Sequence, residues 1–172
     1  MRDASIQAAA KTAGVQPPRR PKKVRLLETE VWLQRGVDEV FEFFSDAHNL
    51  ESITPEILNF RVLTPKPIPM HAGALIDYKL SLRGFPMRWK TLIAVWEEPK
   101  RFVDMQLKGP YVWWHHTHTF EPKGGGTLCR DIVEYQHRGG PIIERLLVRR
   151  DVERIFEYRR QKMLELFGGN EQ

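Results

Sequence analysis

The ten residues YVWWHHTHTF, numbers 111–120, hold three of the six histidines of the chain. An imidazole side chain binds transition metals and exchanges protons near neutral pH. The segment could therefore form a metal site, a general acid–base centre or only an aromatic strand. Which of these it forms depends on which side chains share a face of the strand.

The loop EPKGGG joins this segment to a second extended one, so the two are predicted to form a β-hairpin. If Phe120 pairs with Thr127, His116 faces Asp131 directly. The other predicted pairs are His118–Cys129 and Trp114–Val133. Alternation places one aromatic and less charged set of side chains on the face assigned to the interior. This set is Trp114, His116, His118 and Phe120 with Cys129, Asp131, Val133 and Tyr135.

Three interpretations are open for His116 and Asp131, since burying such a pair is costly unless the two side chains hydrogen-bond to each other. In the first, the pair satisfies itself and orients polar parts of a bound ligand. In the second, Asp131 orients His116 for acid–base catalysis, with His118 or Tyr135 as second donor, and a carbonyl compound is enolised or dehydrated. In the third, His116, His118 and Asp131 bind a metal. Cys129 stands alone, and no metal and no cofactor are expected.

The elements that position these side chains follow from hydrophobic periodicity. Residues 26–33 alternate as a strand does. The next twenty residues predict two short helices, the second capped by Asp46 or Asn49 and ending before Pro55. Six further extended segments, separated by turn residues, imply an antiparallel meander. They are residues 60–63, 75–82, 87–96, 102–107, 112–120 and 127–135.

A long helix is predicted over residues 141–167, because Pro141 is tolerated in a first turn and Gly168 with Gly169 can end a helix. One apolar stripe runs along it, so the sheet is expected to curve round this helix and to leave a cavity between them. The stripe is Val148, Val152, Ile155, Phe156, Met163, Leu166 and Phe167.

Two arginines, Arg145 and Arg159, project within this stripe. One interpretation is that they extend along it to water, as long arginine side chains usually do. The other is that Arg159 reaches Asp104, Asp131 or the acidic head of a ligand.

Three strings, GFPMRWKTLI, PKRFVDMQLKGPYVWWHHTHTF and GTLCRDIVEYQHRGG, resemble the polyketide cyclase/dehydrase branch of the START-related SRPBCC superfamily. The resemblance covers residues 26–167, and Val37 departs from the proline that relatives often carry at the first helix. It implies an α+β helix-grip fold, in which a curved antiparallel seven-stranded sheet wraps round a long C-terminal helix and two short helices follow the first strand. The residues that meet the motif are Trp114, His116, His118, Phe120, Gly126, Thr127, Asp131, Val133 and Tyr135.

The resemblance also implies a cavity that binds a hydrophobic small molecule, such as a lipid, polyketide or isoprenoid-like compound, in a carrier or sensor. A cyclase or dehydratase with His116, Asp131 and His118 as catalytic residues is the alternative, and an interaction module with a side-chain-filled pocket is a second alternative. Met70 and His71 are candidates for the cavity entrance. The expected ligand-binding residues are Trp89, Trp114, His116, His118, Phe120, Tyr135, Met70, Phe156 and Arg159.

The formal net charge of +5 is partly local, because five basic residues and three prolines crowd residues 16–25. Residues 1–23 are therefore expected to be a flexible basic tail with at most weak contact to anionic membranes. Residues 24–172 form the expected ligand-binding domain. No phosphate loop or aromatic–basic signature occurs, so no specific nucleic-acid partner is expected.

The chain is 41% hydrophobic and has no long apolar run, which predicts a soluble domain without a membrane-spanning helix. The first residues lack an apolar segment of signal-peptide length, and the lone Cys129 cannot form an internal disulfide. Both features favour a reducing, cytoplasmic setting. The sequence predicts no particular oligomeric state.

Overall fold

The computed structural model describes residues 2–139, 143 and 147–170 of the protein. One antiparallel sheet dominates them, with strands in the order β2-β3-β4-β5-β6-β7-β1-β8. Strands β2 to β7 form the predicted six-stranded meander, and β1 pairs with β7 to complete the seven expected strands. The two-residue β8 adds to the edge beside β1. The helix-grip fold is confirmed. The strands are β1 (Arg25–Leu33), β2 (Arg61–Val62), β3 (Leu75–Leu82), β4 (Phe85–Glu97), β5 (Arg101–Lys108), β6 (Tyr111–Lys123), β7 (Gly126–His137) and β8 (Gly169–Asn170).

Two short helical elements follow β1, as predicted. Helix α2 (Val37–Ser45) buries Val40, Phe41 and Phe44, which recur at helical spacing and pack into the core. A 3-10 helix, Ala47–Glu51, comes next, and the Asp46 carboxylate accepts a hydrogen bond from the backbone N–H of His48 at 2.9 Å. Asp46 therefore caps this element, as the sequence indicated. A second 3-10 turn, Glu56–Leu58, leads into β2.

The C-terminal helix α3 (Arg149–Phe167) packs its apolar stripe against the sheet. Val152, Phe156, Met163 and Phe167 are buried, as is Val148 just before the helix, while Ile155 is half-buried. Leu166 is 49% exposed, so its predicted place in the packed apolar stripe is wrong.

Helix α3 ends at Gly168 as predicted. The φ of Gly168 is +66°, and its N–H donates to the Leu164 carbonyl. The predicted start at Pro141 and the position of Arg145 fall outside the described residues.

The β6–β7 hairpin differs from its predicted register by two residues. Gly124 and Gly125 form a two-residue turn with φ of +59° and +79°, so both strands run further than the loop EPKGGG suggested. A shift of two keeps every side chain on its face, and the predicted interior set therefore still shares one face. The observed pairs are Phe120–Cys129, His118–Asp131, His116–Val133 and Trp114–Tyr135.

The N-terminal segment differs from the expected flexible tail. Residues Arg2–Thr12 form helix α1, which lies on the outer face of the sheet against β4. Ile6, Ala9 and Ala10 are buried there, at the i, i+3, i+4 spacing of one helix face. Further along, Arg20 forms an ion pair of 2.7 Å with Glu134 on β7. Sequence analysis missed this short apolar face because its prediction for residues 1–23 rested on the basic and proline-rich residues. In the described part of the chain, no helix is long and apolar enough to cross a membrane.

The packing of α1 predicts a measurable contribution to stability. Ile6 is 8% exposed and lies in a cluster with residues of β4, β5 and β6. We expect Ile6→Ala to lower the free energy of unfolding by about 2 kcal/mol, whereas Ser5→Ala, at an exposed position of the same helix, should change it by less than about 0.5 kcal/mol. Urea unfolding checks both. Equal and small changes would show that α1 does not pack on the sheet in solution.

Candidate functional site

A cavity of about 160 Å³ lies between the inner face of the sheet and α3. Strands β3 to β6, helix α3 and the segment between α2 and β3 supply its walls. Most of the lining is apolar or aromatic, and both Trp89 and Trp114 are part of it. The charged or histidine side chains in the wall are Asp104, His116, His118 and Arg159.

Seven of the nine predicted ligand-binding residues line this cavity. The other two do not. Phe120 packs against Phe41 and Phe44 and borders a smaller cavity, while Tyr135 is buried beside Tyr111. His71 is exposed and lies outside the lining, whereas Met70 belongs to it. The seven are Met70, Trp89, Trp114, His116, His118, Phe156 and Arg159.

Two histidines and two aspartates form one cluster across three neighbouring strands. In the register of the sheet, Asp104 on β5 pairs with His116 on β6, and His118 on β6 pairs with Asp131 on β7. The side chains of His116 and His118 are 3% and 4% exposed, and those of Asp104 and Asp131 are 20% and 21% exposed. We call these four residues the His–Asp quartet.

Each imidazole of the quartet lies between both carboxylates. His116 Nε2 hydrogen-bonds to Asp131 Oδ1 at 2.8 Å, and His118 Nε2 hydrogen-bonds to Asp104 Oδ2 at 2.9 Å. The Nδ1 atoms face the opposite partners: His116 Nδ1 is 3.3 Å from Asp104 Oδ2, and His118 Nδ1 is 2.9 Å from Asp131 Oδ1. The angles at His118 Nδ1 do not suit a hydrogen bond, so this buried nitrogen has no hydrogen-bond partner among the described residues.

The protonation of the quartet is constrained by its geometry. A neutral imidazole has a single N–H, so a histidine can donate to both carboxylates only when it is protonated. The ring centroids of His116 and His118 are 3.7 Å apart. Two imidazolium ions at that distance repel each other. A second positive charge in the quartet would therefore be opposed by this repulsion.

Electrostatics favour charged forms within the quartet. Burial alone would raise the pKa of both Asp104 and Asp131, but the charges and hydrogen bonds of the two histidines more than offset it and hold the pKa of each carboxyl well below its usual range. Burial would lower the pKa of His116, but the adjacent Asp104 and Asp131 raise it above its ordinary value. The carboxylates are accordingly ionised, and His116 is stabilised as imidazolium.

Aromatic rings hold both imidazoles in place. Phe102 stacks on His118, with ring centroids 4.0 Å apart and planes inclined by 21°. Phe156 of α3 meets His116 edge-on at 5.2 Å. The third histidine of the segment, His115, lies on the outer face beside Trp113, as alternation along the strand requires. The two imidazoles of the quartet are therefore fixed by the same packing that forms the cavity wall.

Sequence analysis considered Asp104 only as a partner for Arg159. Its place opposite His116 depends on the β5–β6 register, which the turn between these strands did not reveal. The sequence did contain a signal that Asp104 points inward, because Asp104 lies two residues after Phe102 and so shares its inward face. The predicted His116–Asp131 contact is present at 2.8 Å, although Asp131 pairs across the sheet with His118.

Arg159 occupies the cavity wall with its guanidinium 5.0 Å from the centroid of the Phe156 ring. Its Nε and Nη1 atoms are buried and have no hydrogen-bond partner within the described structure. These nitrogens reach neither water nor the two carboxylates of the quartet. Because an unsatisfied buried donor costs free energy, a hydrogen-bond acceptor placed beside these nitrogens would be stabilised.

The chain belongs to the family described as polyketide cyclase / dehydrase and lipid transport, whose model matches residues 33–161. A search of curated protein sequences finds no match.

Solved structures share the fold at low sequence identity. The Zhui aromatase/cyclase from Streptomyces sp. R1128 is similar with a TM-score of 0.64 and 14% identity, over 84% of this chain and 93% of that one. A START superfamily protein from Mycobacterium smegmatis has a TM-score of 0.59 and 14% identity, over 82% and 98% of the two chains. Major latex-like protein 151 from Panax ginseng has a TM-score of 0.61 and 14% identity, over 84% and 97%. At these identities the likeness concerns the fold alone.

Removing one charge from the quartet is expected to lower the free energy of unfolding substantially. We expect Asp131→Ala to lower the free energy of unfolding by about 3 kcal/mol, because it leaves buried imidazole nitrogens and a positive charge without their partner. Glu30→Ala is the matched control: Glu30 pairs at 3.1 Å with Arg130 on the surface, both side chains being more than 40% exposed, so less than about 1 kcal/mol should be lost. Guanidinium unfolding measures both. Similar small losses would contradict a coupled buried network.

Proposed function

We propose that this protein binds a compact hydrophobic molecule with an acidic or strongly polar head group, as a carrier or sensor. Membership of the family and the helix-grip fold support a ligand-binding domain of the SRPBCC type. The observation that carries the proposal is the cavity itself. Apolar and aromatic side chains form most of its wall, and a few polar groups converge on it, which is the usual composition of a small-molecule site.

The size of the cavity limits the part of the ligand that it encloses. A cavity of about 150 Å³ in another protein holds benzene, and the present one is about 160 Å³. One ring or a short acyl segment therefore fits within these walls. A longer lipid or a polycyclic compound would extend past half-buried wall residues such as Leu82, Pro110 and Ile155.

Arg159 supports an acidic or strongly polar head group. Its two buried nitrogens without partners belong to the wall of a cavity in which the lining carboxylate, Asp104, already contacts two imidazoles. A ligand carboxylate or enolate oxygen would supply the acceptor through a charge-assisted hydrogen bond. The apolar part would then lie against Trp89 and Trp114, which meet edge-to-face at 5.3 Å.

A cyclase or dehydratase is the second candidate, and one observation favours it. His116 lies in the cavity wall, hydrogen-bonded to Asp131 and with a raised pKa. As an imidazolium it could donate its Nδ1 proton to a ligand carbonyl oxygen that takes the place of Asp104, 3.3 Å away, while Asp131 holds the ring through Nε2. The other alternative, an interaction module whose pocket is filled by side chains, fits poorly with a cavity of this volume.

The first experiment is native mass spectrometry of freshly purified protein, followed by organic extraction. We expect a reproducible adduct of a few hundred daltons that passes into solvent. Incubation of the extracted compound with fresh protein then separates the two candidates: a carrier returns it unchanged, whereas an enzyme yields a product whose formation is lost in His116→Ala. If no compound is retained and none of a panel of hydrophobic acids binds in calorimetry, the proposal fails.

The role of Arg159 predicts a head-group preference. Wild-type protein should bind 3-phenylpropionate more tightly than 3-phenylpropan-1-ol, and Arg159→Met should weaken binding of the acid about tenfold, or about 1.4 kcal/mol, with little effect on the alcohol. Arg154→Met, at an exposed position of the same helix, is the control and should leave both affinities unchanged. Quenching of tryptophan fluorescence reports binding, because Trp89 and Trp114 line the cavity. Equal losses for acid and alcohol would remove the head-group assignment.

A further inference from the structure

We infer that Asp104, His116 and His118 form a binding site for a divalent transition metal in the wall of the cavity. One carboxylate oxygen and two imidazole nitrogens of these residues all lie within 4.8 Å of one another. Two histidines and one carboxylate are a ligand set that Zn²⁺ and Fe²⁺ accept, and its nitrogen donors disfavour Mg²⁺ and Ca²⁺. This inference does not depend on the proposed hydrophobic ligand.

The distances suit a metal centre. His116 Nδ1 and His118 Nε2 lie 3.3 and 2.9 Å from Asp104 Oδ2. Ligand atoms bonded to tetrahedral zinc at about 2.0–2.2 Å are separated from each other by roughly 3.3 Å. Two of the three donor–donor distances are therefore close to those of a tetrahedral centre, and the third is no more than 4.8 Å.

The remaining nitrogens of both rings lie close to the second carboxylate of the quartet. His116 Nε2 and His118 Nδ1 lie 2.8 and 2.9 Å from the same atom, Asp131 Oδ1. Histidines that bind metal commonly donate their other N–H to a carboxylate, which fixes the orientation of the ring. Asp131 already hydrogen-bonds to His116 in this way, and a change in the angle of the His118 ring would let it do the same for His118, although it would not bind the metal itself.

The side of the quartet that faces the cavity identifies Asp104, and not Asp131, as the metal ligand. Asp104, His116 and His118 line the cavity of about 160 Å³, whereas Asp131 borders only the smaller one. Three protein ligands leave coordination positions open toward the cavity, where an oxygen of a bound molecule could bind. The metal alternative raised by the sequence had Asp131 as its third ligand, and the register of β5 against β6 replaces it with Asp104.

The test is a titration of tag-free, chelator-stripped protein with Zn²⁺ and Co²⁺, in the absence of any hydrophobic compound. We expect one equivalent of Zn²⁺ to bind with micromolar or tighter affinity in competition with a chromophoric chelator, and to raise Tm. Asp104→Ala and His118→Ala should each weaken binding at least a hundredfold. Asp131→Asn should weaken it about 10–100-fold. His48→Ala is the control, because His48 also lies half-buried beside a carboxylate, Asp46, but outside the cavity lining, and it should leave the affinity unchanged.

Two results would overturn the inference: no saturable binding to the stripped wild-type chain, or binding that His118→Ala does not change. A greater loss in Asp131→Asn than in Asp104→Asn, the conservative pair, would overturn the choice of Asp104 as ligand. If the alanine variants do not fold, the wild-type chain still decides, because Co²⁺ at this site should give the visible absorption of a four- or five-coordinate nitrogen–oxygen centre. A protein that binds zinc but no hydrophobic acid would retain the metal site and lose the proposed function.

Discussion

Charge balance inside the His–Asp quartet is the constraint on which the site depends. Two carboxylates and two imidazoles lie between an apolar sheet face and α3, where an unpaired charge is costly. They balance one another only if β5, β6 and β7 hold a single register, since Asp104 must lie opposite His116 while His118 lies opposite Asp131. The tight turn at Gly124 and Gly125 therefore matters to the chemistry, because it determines which residue of β7 meets His118.

Helix α3 closes the cavity whose wall includes this polar cluster. Phe156 packs edge-on against His116, and Arg159, three residues later on the same helix face, brings a guanidinium into the same wall. The rest of the lining is mostly aromatic and aliphatic, and Trp114 lies beside both His116 and Phe156. A mostly apolar wall with a few polar groups imposes an orientation on its occupant, because each kind of lining stabilises a different part of the molecule.

Sequence patterns predicted the features that depend on local periodicity. The meander, the long C-terminal helix and the inward face of β6 follow from alternation and from the apolar stripe, and all three agree with the structure. The hairpin register was wrong by two residues because three consecutive glycines permit several turn lengths. The place of Asp104 was missed because it depends on pairing between strands, which no local pattern encodes. Helix α1 was missed because its buried face consists of one isoleucine and two alanines, a weak apolar signal beside a strongly basic segment.

The stability of the fold does not by itself account for the quartet. Replacing a buried ionic cluster by apolar residues of similar volume is often neutral or stabilising, and the rest of this inner face already packs with aromatic and aliphatic side chains. The quartet is also partly open to the cavities, with about a fifth of each carboxylate side chain exposed. Carboxylates whose only role was to complete the core would be expected to be fully buried. A simpler explanation is that the quartet contacts a group in the cavity. This group would be an oxygen of a ligand, a metal ion that binds such an oxygen, or a proton transferred between the quartet and the ligand.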